Sequence, residues 1–287
     1  MGSLEEMTGC GGKRATKDFG DELESALHQK YVEELDANPF TMEYLMTDTI
    51  RMGGLYWGLA ALDVLNKLDS EATQSRKDEF VKWILSCQHE NGGFGANVKH
   101  DAHITSTHYA VLSLGILGRL DELDKGRVIA FLQSLQGENG GFKGDEWGEM
   151  DCRFAYNALA CLTILGADLR ETVDVDGVAN WLASCKNYDG SFGPIPGSES
   201  HAAYVFCAVG ALTLAGRLDV CDIDKLGWWL ADRQTTDSGG FNGRPEKAPD
   251  VCYSWWIMSA MHCIERESWM GADDLAKFII SAQDFED

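Results

Sequence analysis

The sequence contains no C-x-x-C pair, only five prolines in 287 residues, and 24 Lys and Arg against 46 Asp and Glu. Each shortage excludes something. Nine cysteines, an odd number without paired spacing, make neither a disulfide framework nor a four-cysteine zinc module. With so little proline and no Ser/Pro/Gly-rich linker, one continuous architecture is expected rather than two domains, and the length suffices for a sizeable core. A formal net charge of −22 disfavours nucleic acid and anionic membrane surfaces, both of which attract clustered basic residues. No apolar run reaches the roughly 18 residues of a membrane span and no secretory leader opens the chain, so a soluble, cytoplasmic protein is expected. The opening MGSLEE and TGCGGKR segments, with Glu6 and Arg14 at the deciding positions, miss the N-myristoylation and phosphate-loop patterns and read as solvated tail. Strand-like alternation is nowhere sustained, so the fold class is all-α.

What is present is a repeat. QHENGGF, QGENGGF, KNYDGSF and QTTDSGGF end on Phe94, Phe142, Phe192 and Phe241, recurring about every 49 residues, a period of stacked helical hairpins. After each comes a polar loop and then a segment apolar nearly all round, such as STHYAVLSLGIL or HAAYVFCAVGALTL, as expected for a buried inner helix. A second helix follows; in KGRVIAFLQSLQ the apolar Val128, Phe131, Leu132 and Leu135 fall on one face, an amphipathic outer helix. Inner and outer layers together predict a closed double-layer α-α toroid. An acidic lead-in with one helix is expected over 1–45, and about five and a half repeats over 46–287. The last unit stops inside a repeat, because Gln283 stands where another Q-x-x-x-G-G-F should begin; this reads as a truncation.

Aligned on Tyr109, Tyr156, Tyr204 and Tyr253, the inner segments carry Ser106, Arg153, His201 and Asp250 three residues earlier, in the first helical turn. The last three would therefore meet at one mouth, where helix N-termini offer free N–H groups and partial positive charge to an anion such as a diphosphate. Below them the aromatics Trp57, Tyr156, Phe206, Trp255 and Trp256 line an apolar hollow or fill a core. Asp250 and Cys252 are donors suited to a metal, or else a helix cap and a small buried hydrophobe. Taken singly, His201 reads first as a satisfied polar group, Arg153 with Asp151 as a surface ion pair, and Arg244 and Lys247 as solvated loop cations; the shared phase is what favours a site.

The segments GGFNGRPEKAPDVCYSWW, GEMDCRFAY and ESHAAYVFC carry a resemblance, covering the chain from Tyr56 to its end, to the protein prenyltransferase β subunits, most closely their type II (Rab) geranylgeranyltransferase branch. The resemblance implies a catalytic zinc and transfer of an isoprenoid from its diphosphate to a cysteine thiol. It implies that Asp250 and Cys252 are the first two zinc ligands, and that the third, a histidine, falls beyond Asp287, where none of the seven histidines here matches it. It implies that Arg153, His201, Arg244, Lys247 and Tyr253 grip the diphosphate, and that Trp57, Tyr156 and Trp256 line the lipid pocket. Gly53 stands where the farnesyl enzymes have a bulky tryptophan, so a small residue would leave room for the longer geranylgeranyl chain. The implied partners are an α subunit forming a heterodimer, geranylgeranyl diphosphate, and Rab GTPases presented by an escort protein; magnesium is left open.

Other protein prenyltransferases, of the type I geranylgeranyl or farnesyl kind, are the nearest alternative. A terpene cyclase would need an aspartate-rich D-x-D-D motif, for which the chain offers only DVDG at Asp174 to Gly177. A non-catalytic repeat scaffold is the reading outside enzymology.

Overall fold

The computed structural model describes residues 22–35, 38 and 40–284; the Glu6 and Arg14 patterns and Asp287 lie outside them. In chain order the helices are α1 (Ser25–Glu34), α2 (Met42–Met46), α3 (Arg51–Val64), α4 (Glu71–Ser86), α5 (Ile104–Ile116), α6 (Lys125–Ser134), α7 (Cys152–Ile164), α8 (Leu169–Thr172), α9 (Val175–Ser184), α10 (Ala202–Ala215), α11 (Ile223–Ala231), α12 (Cys252–Cys263) and α13 (Ala272–Ser281). Among the described residues the only β structure is a set of isolated bridges, four of them joining the first residue of a repeat motif to its phenylalanine, as Gln88 to Phe94 and Gln234 to Phe241. The fold is an α-α toroid.

Its inner layer is α3, α5, α7, α10 and α12, each packed against the next in sequence. The outer layer includes α4, α6, α9, α11 and α13. On α6 the predicted stripe of Val128, Phe131 and Leu132, with Leu135 just beyond its end, is buried, and the four repeat phenylalanines are fully buried between layers. Burying side chains of that size contributes on the order of 2 kcal/mol each.

Two features of the repeat motif hold neighbours together. Its central glycines turn with positive φ, +83° at Gly140, and a Cβ there would strike the backbone of Gly177 in the next outer helix, so only glycine fits the contact. The leading glutamine clamps the start of the following outer helix through both ends of its amide. Gln136 donates to the Asp174 carbonyl (2.9 Å) and accepts from the Asp174 N–H (2.8 Å), and Gln234 does the same to Gly271. Gln283 repeats this clamp on residues from the other end of the chain, donating to the Glu22 carbonyl (3.1 Å) and accepting from the Glu24 N–H (2.8 Å). The N-terminal helix α1 thereby stands next to α13 as a further member of the outer layer, while α12 and α3 make no comparable packing across the inner one.

Candidate functional site

The register of the inner helices comes from the phenylalanines. His103, Asp151, His201 and Asp250 each lie nine residues after the repeat phenylalanine, and each uses its side chain to accept the backbone N–H two residues on. The N–H groups of His103, His201 and Asp250 bond back to the carbonyls of Phe94, Phe192 and Phe241. The tyrosines do not share a position: Tyr204 and Tyr253 follow their caps by three residues, Tyr156 by five and Tyr109 by six. The tyrosine alignment is therefore corrected. Ser106 is buried inside α5, and Arg153 stands two residues past its cap, level with Cys252.

Arg153, His201, Tyr253 and Asp250 nonetheless meet at one end of the toroid, through a run of contacts. The Arg153 guanidinium lies 5.6 Å from the centroid of Tyr204, whose ring is 5.7 Å from His201, which in turn is 5.6 Å from Tyr253. Arg244, on the loop before α12, acts electrostatically on both His201 and Tyr253. Lys247 is exposed on that same loop. Asp151 belongs to the cluster as the ion-pair partner of Arg153 that the sequence suggests, and Glu199 and Tyr204 belong to it as well, with no site role assigned to them from sequence. Asp151 holds Arg153 by two bonds (2.9 and 2.8 Å) and Glu199 pairs with Arg244. Counting from the phenylalanine instead of the tyrosine gives Asp151 its place as a helix cap equivalent to His201 and Asp250.

The expected free N–H groups at the helix starts are not free. Ile104, Cys152 and Ala202 donate to the carbonyls of Gly144, Pro194 and Gly243 in the next repeat's loop, and the following N–H goes to the cap. These bonds leave side chains, with the helix dipoles as background, as the groups that could meet an anion at this mouth.

The protonation states follow from the bonds. His201 Nδ1 accepts from Ala203 N (3.2 Å), so in the neutral ring Nε2 carries the hydrogen and donates to the Tyr253 hydroxyl (3.3 Å). Burial, then Arg244, lowers the His201 pKa, which keeps the ring neutral. The Tyr253 O–H is left to donate outward. Asp151 raises the pKa of Arg153 by hydrogen bonding, fixing its charge. Burial, with Asp250 beside it, pushes the Cys252 thiol up to about 11, while the Cys252 backbone N–H holds Asp250 below the usual carboxylate range.

Asp250 and Cys252 are adjacent donors of the right kind for zinc, but among the described residues no third His, Cys, Asp or Glu joins them. The described donor set falls short of the three protein ligands of a catalytic zinc site.

Further along the same inner helices runs an unbroken aromatic arc. Trp256 meets Phe206 (5.1 Å between centroids), Phe206 meets Tyr156 (5.0 Å), Tyr156 meets His108 (5.6 Å), and Tyr109 stacks on Tyr56 (5.2 Å) near Trp57 (6.3 Å). Trp57, Tyr156 and Trp256 thus share one surface, whereas Trp255 is largely exposed outside the arc. Gly53 does not open free space: the ring of Tyr109 comes within 3.1 Å of where its Cβ would be. The room expected there is filled from the neighbouring helix. A separate apolar cavity of about 470 Å³ lies between α1, α3 and α4, lined by Val32, Leu55, Leu59, Phe80 and Trp83 among others, and does not reach the rim.

Comparison with known proteins gives consistent likenesses. The family description "Prenyltransferase alpha-alpha toroid domain" matches residues 23–287. The type-2 geranylgeranyl transferase β subunit of Saccharomyces cerevisiae is 42% identical over 264 residues, spanning 90% of this chain and 79% of the relative. Its Arabidopsis thaliana counterpart, subunit beta 1, is 43% identical over 259 residues, spanning 90% and 78%. In three dimensions the chain resembles Candida albicans protein geranylgeranyltransferase-I complexed with GGPP, with TM-score 0.76 at 22% identity over 88% of this chain and 80% of that one, a likeness of fold.

Proposed function

The chain belongs to the prenyltransferase alpha-alpha toroid family, and on that premise we propose that it is the catalytic β subunit of a type II geranylgeranyltransferase. It would move a geranylgeranyl group from its diphosphate to C-terminal cysteine thiols of Rab GTPases presented by an escort protein, working in the cytoplasm as a heterodimer with an α subunit. One juxtaposition carries the reading: the helices α7, α10 and α12 that bring cationic and hydroxyl donors together at their starts also carry Tyr156, Phe206 and Trp256 of the aromatic arc. The names of relatives with 42% and 43% identity support the choice of a geranylgeranyl group.

In this reading the isoprenoid lies along the arc with its diphosphate at the rim. The acceptor sulfur bonds to C1 as the C1–O bond breaks; the electron pair leaves with the diphosphate and the thiol proton passes to solvent. Arg153, Arg244 and Lys247 meet the growing negative charge, and Tyr253, its oxygen already accepting from His201, donates its O–H to the leaving oxygens. Such preorganised donors contribute roughly 2 to 4 kcal/mol each to a transition state. Asp151 and Glu199 hold the two arginines in place before the donor arrives.

Asp250 and Cys252 are proposed as two donors of a zinc ion whose remaining protein ligand lies outside the described residues. Because the described set is incomplete, no step is routed through the metal. The incomplete set also favours a second reading, a repeat scaffold without catalysis.

The deciding experiment incubates the chain, co-purified with an α subunit, with geranylgeranyl diphosphate, a Rab GTPase and escort protein, and reads the GTPase mass alongside zinc per chain. A thioether-linked geranylgeranyl group supports the enzyme. Partner binding with no transfer and no metal leaves the scaffold.

A further inference from the structure

Resting on the reading of this chain as an isoprenoid transferase, we infer that Tyr109, rather than Gly53, sets the length of isoprenoid that the protein accepts. The polar grip lies towards α10 and α12, so a chain anchored there and laid along the aromatic surface runs through Phe206 and Tyr156 towards α5 and α3. Tyr109 ends that path. Its ring stacks on Tyr56 at 5.2 Å with planes 22° apart, and its edge stands 6.3 Å from Trp57, so three rings from two helices form one wall. Its phenol carbons come within 3.1 and 3.3 Å of the point where a Cβ on Gly53 would stand. Glycine and tyrosine are thus complementary: the notch in α3 is what admits the ring from α5, and the ring, not open space, is what an incoming hydrocarbon meets. Half-buried and braced on one side by Tyr56, Tyr109 is an apolar stop of fixed position with its hydroxyl beside Trp57.

The wall also explains why the notch must stay small. A larger residue at 53 would press on Tyr109 and move the stop inwards, whereas removing the ring would leave the notch at Gly53 open and lengthen the path. Discrimination by one apolar contact in a pocket is worth roughly ten- to a hundredfold between neighbouring homologues.

The test measures binding of farnesyl, geranylgeranyl and geranylfarnesyl diphosphates to the full chain with its α subunit, by competition against a fluorescent isoprenoid diphosphate. Tyr109→Gly should shift preference towards the longest of the three by roughly tenfold relative to the unaltered protein. Tyr109→Phe, which keeps the ring, should leave the preference in place. Gly53→Ala offers a second route should Tyr109→Gly fail to fold: a methyl 3.1 Å from the ring should push the stop inwards and favour the shorter donor. An unchanged order of preference in Tyr109→Gly, or in Gly53→Ala where the former does not fold, overturns the inference while leaving the proposed function intact. Failure of the unaltered protein to bind any of the three removes the proposed function and this inference with it.

Discussion

His201 Nε2 and the Tyr253 hydroxyl face each other at 3.3 Å, joining the starts of two neighbouring inner helices. Because His201 Nδ1 is already engaged by the Ala203 N–H, the imidazole is the donor and the phenol keeps its own hydrogen for a ligand. Tyr253→Phe should therefore slow transfer by roughly ten- to a hundredfold while diphosphate affinity falls much less, as a contact strengthened at the transition state requires. Single-turnover rates beside equilibrium donor binding check this; equal losses in both would assign the hydroxyl to ground-state binding.

Arg244 is held by Glu199 and acts on both His201 and Tyr253. Arg244→Ala should slow transfer by on the order of 2 to 3 kcal/mol of barrier, and should do so more than it weakens the thiol substrate. Comparing kcat with the dissociation constant of the acceptor protein separates the two effects.

Cys252 is the exposed member of the described cysteines, yet burial of its sulfur, then Asp250, pushes the thiol up to about 11. In metal-free protein its alkylation by iodoacetamide should be slow at neutral pH and climb with an inflection near pH 11 rather than about 8.5, the value of a free thiol. Asp250→Asn should recover only part of that difference, since burial, the larger cause, remains. Peptide mass spectrometry at a series of pH values reads both.

His108 is buried in the arc, its Nε2 has no hydrogen-bond partner, and burial lowers its pKa to about 4. Between that value and about 6.5 the unfolded chain takes up a proton that the folded one refuses, so stability is full above about pH 6.5 and falls as pH drops through this window. The loss should reach on the order of 3 kcal/mol by pH 4 and should vanish from the difference curve of His108→Leu in denaturant titrations.

Much of this architecture was legible in the chain because repeats write the same physics several times. Phenylalanines at a period near 49 residues fixed the helical hairpins, and the stripe of Val128, Phe131 and Leu132 fixed which face is outer. The rim was legible in outline, since Arg153, His201, Tyr253 and Asp250 do converge, but its fine register was not. Tyrosine is prominent to the eye yet has no common structural role here, whereas the cap position does, filled by His or Asp according to the repeat. The consumption of helix N–H groups by Gly144, Pro194 and Gly243 depends on contacts between repeats, which local sequence does not record. The filling of the notch at Gly53 by a ring from another helix was hidden for the same reason.

The clamp from Gln283 to Glu22 and Glu24 bears on how the molecule is made. During synthesis the first helix emerges well before the glutamine that will receive it, and it must wait, unclasped, while every intervening hairpin is laid down. Closure of this part of the outer wall thus waits for residue 283, whose amide recognises a segment 261 residues earlier in the chain.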